Sequence, residues 1–333
     1  MNKIEKEKIL YPDNPNGIYK YEYVNINGIK QYIQIRGVNK NNPLLLFIHG
    51  GPGGSFAGLA HVMQDVWEND FTVVNWDQRN ACKTYLANID QVKEIAQTGT
   101  MEDYIKDIDG VIEYLHTVYD FEKIIILGFS WGSVIGSEYV KVYPQKVSCY
   151  IGVGQLVNYI EGFHVVCGQM RERAEKKGNK RDVAKINQIL ENIPSEPSMM
   201  KSFTKYVNMF SRMGNKYMSS NSKPFPVKDF MKSPLLDKNS RKAMFKATPD
   251  VLEGTFKTLF AYDFRDNMNY DVPVVLITGE EDTSCPHSML KNIVDKIEAP
   301  NKELIIVEKA GHCCFYDKKE EFFRILKRIT DGL

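Results

Sequence analysis

The chain has 333 residues, 43% of them hydrophobic and 26% charged, with a formal net charge of +1. Such a composition is that of an ordinary globular protein, and the length holds two domains or one large core carrying an insertion. The near-zero charge leaves no basic excess to neutralise phosphates and so excludes nucleic acid as a partner. The first ten residues contain no apolar h-region and no cleavage site, which predicts no signal peptide. No apolar run approaches the roughly 20 residues needed to span a bilayer. Cys82, Cys149, Cys167, Cys285, Cys313 and Cys314 are scattered, without a C-x-x-C pair. Reduced thiols and a cytoplasmic location are expected from that spacing.

In chain order, residues 21–35 alternate in polarity around Asn27-Gly28, a dipeptide that accepts the positive φ of a two-residue hairpin turn. Leu44, Leu45, Leu46, Phe47 and Ile48 make a continuous apolar run, which predicts a strand buried on both faces. It leads into His49-Gly50-Gly51-Pro52-Gly53-Gly54. Residues this small, directly after a strand, let the backbone approach a ligand with its N–H groups exposed, as an oxyanion-binding loop must. A phosphate cradle would need the Lys-Ser/Thr of a P-loop or G-x-G-x-x-G spacing, and the chain has neither here. Residues 71–76 read as the next strand, ending in Asp77-Gln78-Arg79. Thr100, with Asp103 three residues on, is a variant capping box. Ile105, Ile108, Ile112 and Leu115 follow at helical spacing, so that helix would cover one face of a sheet.

Residues 124–127 are Ile-Ile-Ile-Leu, 128–132 are Gly-Phe-Ser-Trp-Gly, and a small-residue helical pattern runs on towards Pro144. G-x-S-x-G between a buried strand and a helix predicts a sharp, strained turn. Ser130 would stand at the carboxyl edge of a sheet, with the next backbone N–H aimed at the same space. Residues 147–153 form a further strand. Strands alternating with helices mean an α/β chain with a doubly wound, mostly parallel sheet.

From 157 to 263 the pattern changes to helical segments rich in Met, Lys, Asn and aromatic residues, broken by Pro194, Pro197, Pro224, Pro226 and Pro234. This reads as an inserted helical cap, over a core made of residues 1–156 and 264–333. Such a lid excludes water and carries a substrate pocket. The α/β rhythm resumes with a strand at 274–278, a loop to Pro286, a helix over 288–297, a strand at 303–307 and a loop at 308–314. A last helix carries Phe322, Ile325, Leu326 and Ile329 on one face.

A serine hydroxyl is a weak nucleophile at neutral pH unless a histidine takes its proton. Of six histidines, His312 is best placed, in a loop just after a strand and behind Gly311. Asp282, four residues past Thr278, would fix its tautomer and stabilise the imidazolium. The chain order Ser130, Asp282, His312 is the one this architecture uses. Glu280 and Glu281 are alternative acids, and His287 is a second candidate base. No H-E-x-x-H occurs, and Cys313-Cys314 has no partner ligands nearby, so neither a metal nor an organic cofactor is expected. Cys82 and Cys285 read as buried thiols, or as thiols bordering the pocket.

Residues 49–54, Asp77-Gln78-Arg79, Gly128 to Gly132, Gly279-x-x-Asp282 and Gly311-His312 together resemble the proline iminopeptidase group of serine peptidases, with motifs from about residue 44 to 315. The resemblance implies the α/β-hydrolase fold and release of an N-terminal residue, often proline, from small peptides. It also implies an oxyanion hole built from the backbone N–H groups of Gly51 and Trp131. Substrate contacts would come from Gly50 and from acidic side chains of the cap, where Glu161, Glu172 and Glu253 are candidates beside their alternative as charge-paired surface residues. One departure stands out: the group usually continues after Asp-Gln-Arg with Gly-x-Gly-x-Ser, whereas this chain has Asn80-Ala81-Cys82-Lys83-Thr84. The same triad would also suit a carboxylesterase, lipase or lactonase acting on small acyl esters, which fits a cap containing Phe203, Met209, Phe210, Met213 and Met218. A ligand-binding protein with an idle triad is a third reading. Dehalogenases and epoxide hydrolases need an aspartate where Ser130 stands. The sequence leaves the oligomeric state open.

Overall fold

The computed structural model describes residues 3–218, 221–223, 226–246 and 251–332. Its strands are β1 (Ile18–Ile26), β2 (Ile29–Gly37), β3 (Leu44–Ile48), β4 (Thr72–Asp77), β5 (Ile124–Phe129), β6 (Val147–Val153), β7 (Val274–Gly279) and β8 (Lys302–Val307). They form one eight-stranded sheet in the order β1-β2-β4-β3-β5-β6-β7-β8. The β1–β2 and β2–β4 pairs are antiparallel, and the remaining pairs are parallel. The longer helices used below are α1 (Met101–Val118), α2 (Trp131–Val142), α3 (Tyr159–Lys176), α4 (Lys180–Leu190), α5 (Met200–Tyr217), α6 (Glu253–Ala261) and α7 (Lys319–Thr330).

The apolar run of β3 is explained by two cores. Leu44, Leu46 and Ile48 pack with Tyr104, Ile108 and Ile112 of α1 and Val134 and Ile135 of α2. Leu45 and Phe47 point the other way, among Trp67, Phe129, Phe315 and Phe322 of the second core. Alternate side chains of a strand face opposite sides, so a strand covered on both sides has no polar position. The hairpin between β1 and β2 turns at Asn27 (φ 51°) and Gly28 (φ 79°), as a type I′ turn requires. Helix α1 opens on the complete Thr100–Asp103 capping box.

One expected element is shorter than its sequence pattern. Instead of a helix over 288–297, a helix spans His287–Lys291 and a separate turn spans Val294–Lys296. Ile293 takes φ −127°, which breaks the helical ladder while Leu290, Ile293 and Ile297 all still reach the core.

Between β6 and β7 the chain builds α3 to α6 and two short helices, Val227–Lys232 and Lys238–Ala243. No strand occurs among the described residues of that stretch. Pro224, one of the expected breaks, lies outside the described residues. Helices α3, α4 and α5 share a core of their own, including Val166, Met170, Ile186, Ile189, Phe203 and Met213, whereas Phe256 and Leu259 of α6 and Phe230 of the first short helix join the two sheet cores. The stretch leaves and rejoins the sheet side by side, through an isolated antiparallel bridge between Asn158 and Asp263. No helix among the described residues is long and apolar enough to cross a membrane.

Phe47, 1% exposed, lies within 6.5 Å, ring to ring, of Phe56, Trp67, Phe129 and Phe315. Phe47→Ala should therefore lower unfolding stability by about 3–5 kcal/mol, read from urea denaturation. A loss below about 1 kcal/mol would show that the ring cluster does not organise this core.

Candidate active site

Ser130 links β5 to α2 with φ 54° and ψ −120°, a backbone region that non-glycine residues occupy only when their surroundings enforce it. Here the enforcement is visible. The Ser130 N–H donates to the Val153 carbonyl at 2.9 Å. A Cβ on Gly132 would lie 2.0 Å from the Ile48 carbonyl oxygen, and one on Gly128 2.5 Å from the Gly132 oxygen. The two glycines of G-x-S-x-G are thus required by close backbone approach.

Asp282 follows β7 and is 2% exposed. Its Oδ2 lies 2.8 Å from His312 Nδ1, and its Oδ1 accepts the backbone N–H groups of Ser284 (2.7 Å) and Cys285 (2.8 Å). With the Nδ1 proton directed at Asp282, His312 Nε2 carries the lone pair that a general base needs. The imidazole also packs on Phe129, centroids 4.8 Å apart. Beneath this pair sits Gly154, with φ 53°, where a Cβ would come within 3.1 Å of the His312 ring and 3.3 Å of Asp282 Oδ2. Sequence reasoning missed Gly154; its signal was a glycine directly after a strand at the carboxyl edge. The alternative acids are engaged elsewhere. Glu280 accepts the Lys309 N–H at 3.0 Å, and Glu281 accepts the Asn221 N–H at 2.8 Å. His287 lines a second, polar hollow on the other side of Asp282, with Gln169, Glu172, Arg173 and Glu280, and does not line the Ser130 cavity.

At the end of β4, three consecutive residues each tie a different part of the site. Asp77 accepts the Ser55 hydroxyl and, at 3.0 Å, the Lys83 N–H; burial pushes its carboxyl up to about 6. Gln78 joins His49 to Trp131 (2.8 and 2.9 Å). Arg79 forms a buried ion pair with Asp107 of α1 at 2.6 Å. Beyond it, Asn80 (φ 57°) and Cys82 (φ 37°) stand in the left-handed region. Asn80 replaces a glycine of the related pattern there, and asparagine is among the residues that enter this region most readily. Its side-chain amide donates to the Val251 carbonyl at 2.8 Å.

Ser130, His312, Gly51 and Trp131 open onto one cavity of about 530 Å³. The helices above it contribute Tyr159, Phe163, Phe203, Val207, Phe210 and Leu259, with Ser211 and Asn215 as polar points. Cys285 and Cys313 also line it, and burial raises both thiol pKa values. Cys82 does not; its thiol meets the Ser240 carbonyl. Among the described lining residues there is no Asp, Glu, Lys or Arg. Glu161, Glu172 and Glu253 are not brought to the cavity wall. Glu172 and Glu253 are exposed and Glu161 half-buried, and they form ion pairs with Lys176, Lys257 and Arg265, each at 2.6 Å, because they sit on outward helix faces beside basic residues. Gly50 lies behind Ser130, where a Cβ would come within 2.9 Å of the serine Cβ, and it does not appear in the wall. No group of three or more His, Cys, Asp and Glu side chains converges as metal ligands would among the described residues.

Residues 43–319 match the profile of the family described as alpha/beta hydrolase fold. Over 328 residues the chain is 26% identical to a protein named "Probable aminopeptidase YbaC" from Bacillus subtilis (strain 168), covering 92% of this chain and 94% of that one. Proline iminopeptidase from Mycobacterium smegmatis superposes with a TM-score of 0.66 at 18% identity, over 94% of this chain and 98% of the other. An esterase from Exiguobacterium antarcticum does so with a TM-score of 0.58 at 18% identity, over 94% and 100%. These two likenesses establish the architecture alone. With the profile matched over most of its length, the chain belongs to the α/β-hydrolase fold family.

Proposed function

We propose that the protein is a serine hydrolase working through an acyl-enzyme, with Ser130 as nucleophile, His312 as base and Asp282 as its orienting acid. The observation that carries this reading is the Asp282–His312 hydrogen bond of 2.8 Å, on the rim of the cavity into which Ser130 opens. Ser130 Oγ attacks the substrate carbonyl while His312 Nε2 takes its proton, and Asp282 stabilises the imidazolium. The oxyanion is received by the Gly51 and Trp131 N–H groups, the latter at the positive end of α2. His312 then protonates the leaving amine or alcohol as the tetrahedral intermediate collapses. Water, activated by the same histidine, attacks the acyl-enzyme and releases the acid, restoring Ser130. Residues 157–263 act as the cap that shields these steps.

For the substrate, the relatives bearing aminopeptidase and proline iminopeptidase names support release of an N-terminal residue from small peptides. The aromatic cavity wall supports a second reading, a small ester with an apolar acyl group. A substrate ammonium entering such a wall would lose its water without gaining a carboxylate.

A fluorophosphonate probe should label the wild-type chain at Ser130 and leave Ser130→Ala unlabelled; an unlabelled wild type would sink the reading. Asp282→Asn should lower kcat by about 10³-fold or more with little change in KM, since it presents the wrong tautomer to an otherwise intact site. Proline and alanine β-naphthylamides run against p-nitrophenyl acyl esters separate the two substrate classes. An aminopeptidase loses turnover when the substrate amine is blocked, and an esterase does not.

A further inference from the structure

The two proposed oxyanion donors lie on different loops, Gly51 after β3 and Trp131 at the start of α2. An oxyanion hole works only while both N–H groups stay aimed at one point, so something has to hold the loops in register. Gln78 touches both. Its side-chain NH₂ donates to the His49 carbonyl at 2.8 Å, and its side-chain oxygen accepts the Trp131 indole N–H at 2.9 Å. Its backbone N–H donates to His49 Nε2 at 3.2 Å, and His49 Nδ1 donates in turn to the Gly50 carbonyl at 2.8 Å. That pattern needs the neutral imidazole, which full burial favours. Gln78, His49 and Trp131 are each at most 2% exposed, so water does not compete for these bonds.

A primary amide suits the position because it offers one donor and one acceptor at the same end. A carboxylate lacks the donor, and a thioether lacks both strong bonds. We propose that Gln78 is a positioning residue that sets the separation of the Gly51 and Trp131 donors, with His49 bracing the Gly50-Gly51 loop. This assignment rests on the serine-hydrolase reading above.

The test uses the full chain and the fluorophosphonate probe, in which Ser130 Oγ bonds to phosphorus, fluoride leaves, the serine proton passes to His312 and the phosphonyl oxygen occupies the hole. Second-order labelling rates are measured from pH 6 to 9 for the wild type, Gln78→Met, Trp131→Phe and the double variant, each checked for folding by near-UV circular dichroism. Gln78→Met should label about tenfold or more slowly, with the midpoint of its pH profile unmoved because the Asp282–His312 pair is untouched. Trp131→Phe cuts one end of the brace and should label more slowly than wild type. The double variant should be no slower than Gln78→Met alone, since both changes break the same link. A folded Gln78→Met labelled within about twofold of wild type overturns the assignment, as does a shifted midpoint or full additivity. Should Gln78→Met fail to fold, Trp131→Phe decides: a wild-type rate overturns the assignment and a slower one supports it. A wild type that does not label at all overturns the serine-hydrolase reading itself, and the assignment falls with it.

Discussion

The site depends on one backbone contact, the seat of the turn after β5 against the end of β3. Gly132 lies so close to Ile48 that a methyl group there would sit 2.0 Å from the Ile48 carbonyl oxygen. Main chain meets main chain, and the loop that begins at His49 is therefore carried to the first turn of α2. The strained conformation of Ser130 costs on the order of 1–3 kcal/mol, and it persists because both flanks are pinned. β5 is hydrogen-bonded between β3 and β6, and the Ser130 N–H is tied to Val153.

Topology then assembles the rest. β3 to β8 run parallel, so their carboxyl ends share one edge, where ligands of open α/β sheets bind. After β3 comes the Gly50-Gly51 loop, after β4 Gln78, after β5 Ser130, after β6 Gly154, after β7 Asp282 and after β8 His312. Each strand delivers one part. None of these parts lies within a helix interior; β3 to β7 are buried between two cores, and β8, which carries His312, is the half-buried edge strand.

The helices above that edge have a different logic. Helices α3 to α5 have an apolar core of their own, α6 packs into the core of the sheet, and the Asn158–Asp263 bridge joins the two ends of the stretch. Polar and charged side chains go outward, where Glu161, Glu172 and Glu253 find basic neighbours. Tyr159, Phe163, Phe203 and Phe210 face the cavity onto which Ser130 opens. The cavity wall is therefore built largely by packing between helices distant in sequence, while the candidate site residues belong to the sheet edge.

Local pattern was enough for much of this. A period-two run, a capping box, a hairpin dipeptide and glycines two residues either side of a serine are short-range signals, because sterics over a few residues produce them. They made the α/β order, the elbow and the positions of Asp282 and His312 legible in the sequence. Gln78 was visible only as part of a motif. Its partners lie 29 and 53 residues away, and nothing local says that a glutamine spans two loops. Gly154 likewise acquires its meaning from His312, on another strand's loop. The helix expected over 288–297 fell short at Ile293, whose φ of −127° leaves the helical region while its side chain still reaches the core. The cap's glutamates could be counted in the sequence but not aimed. Which way a helix face points is decided by what packs against it, and that contact exists only once the chain has folded.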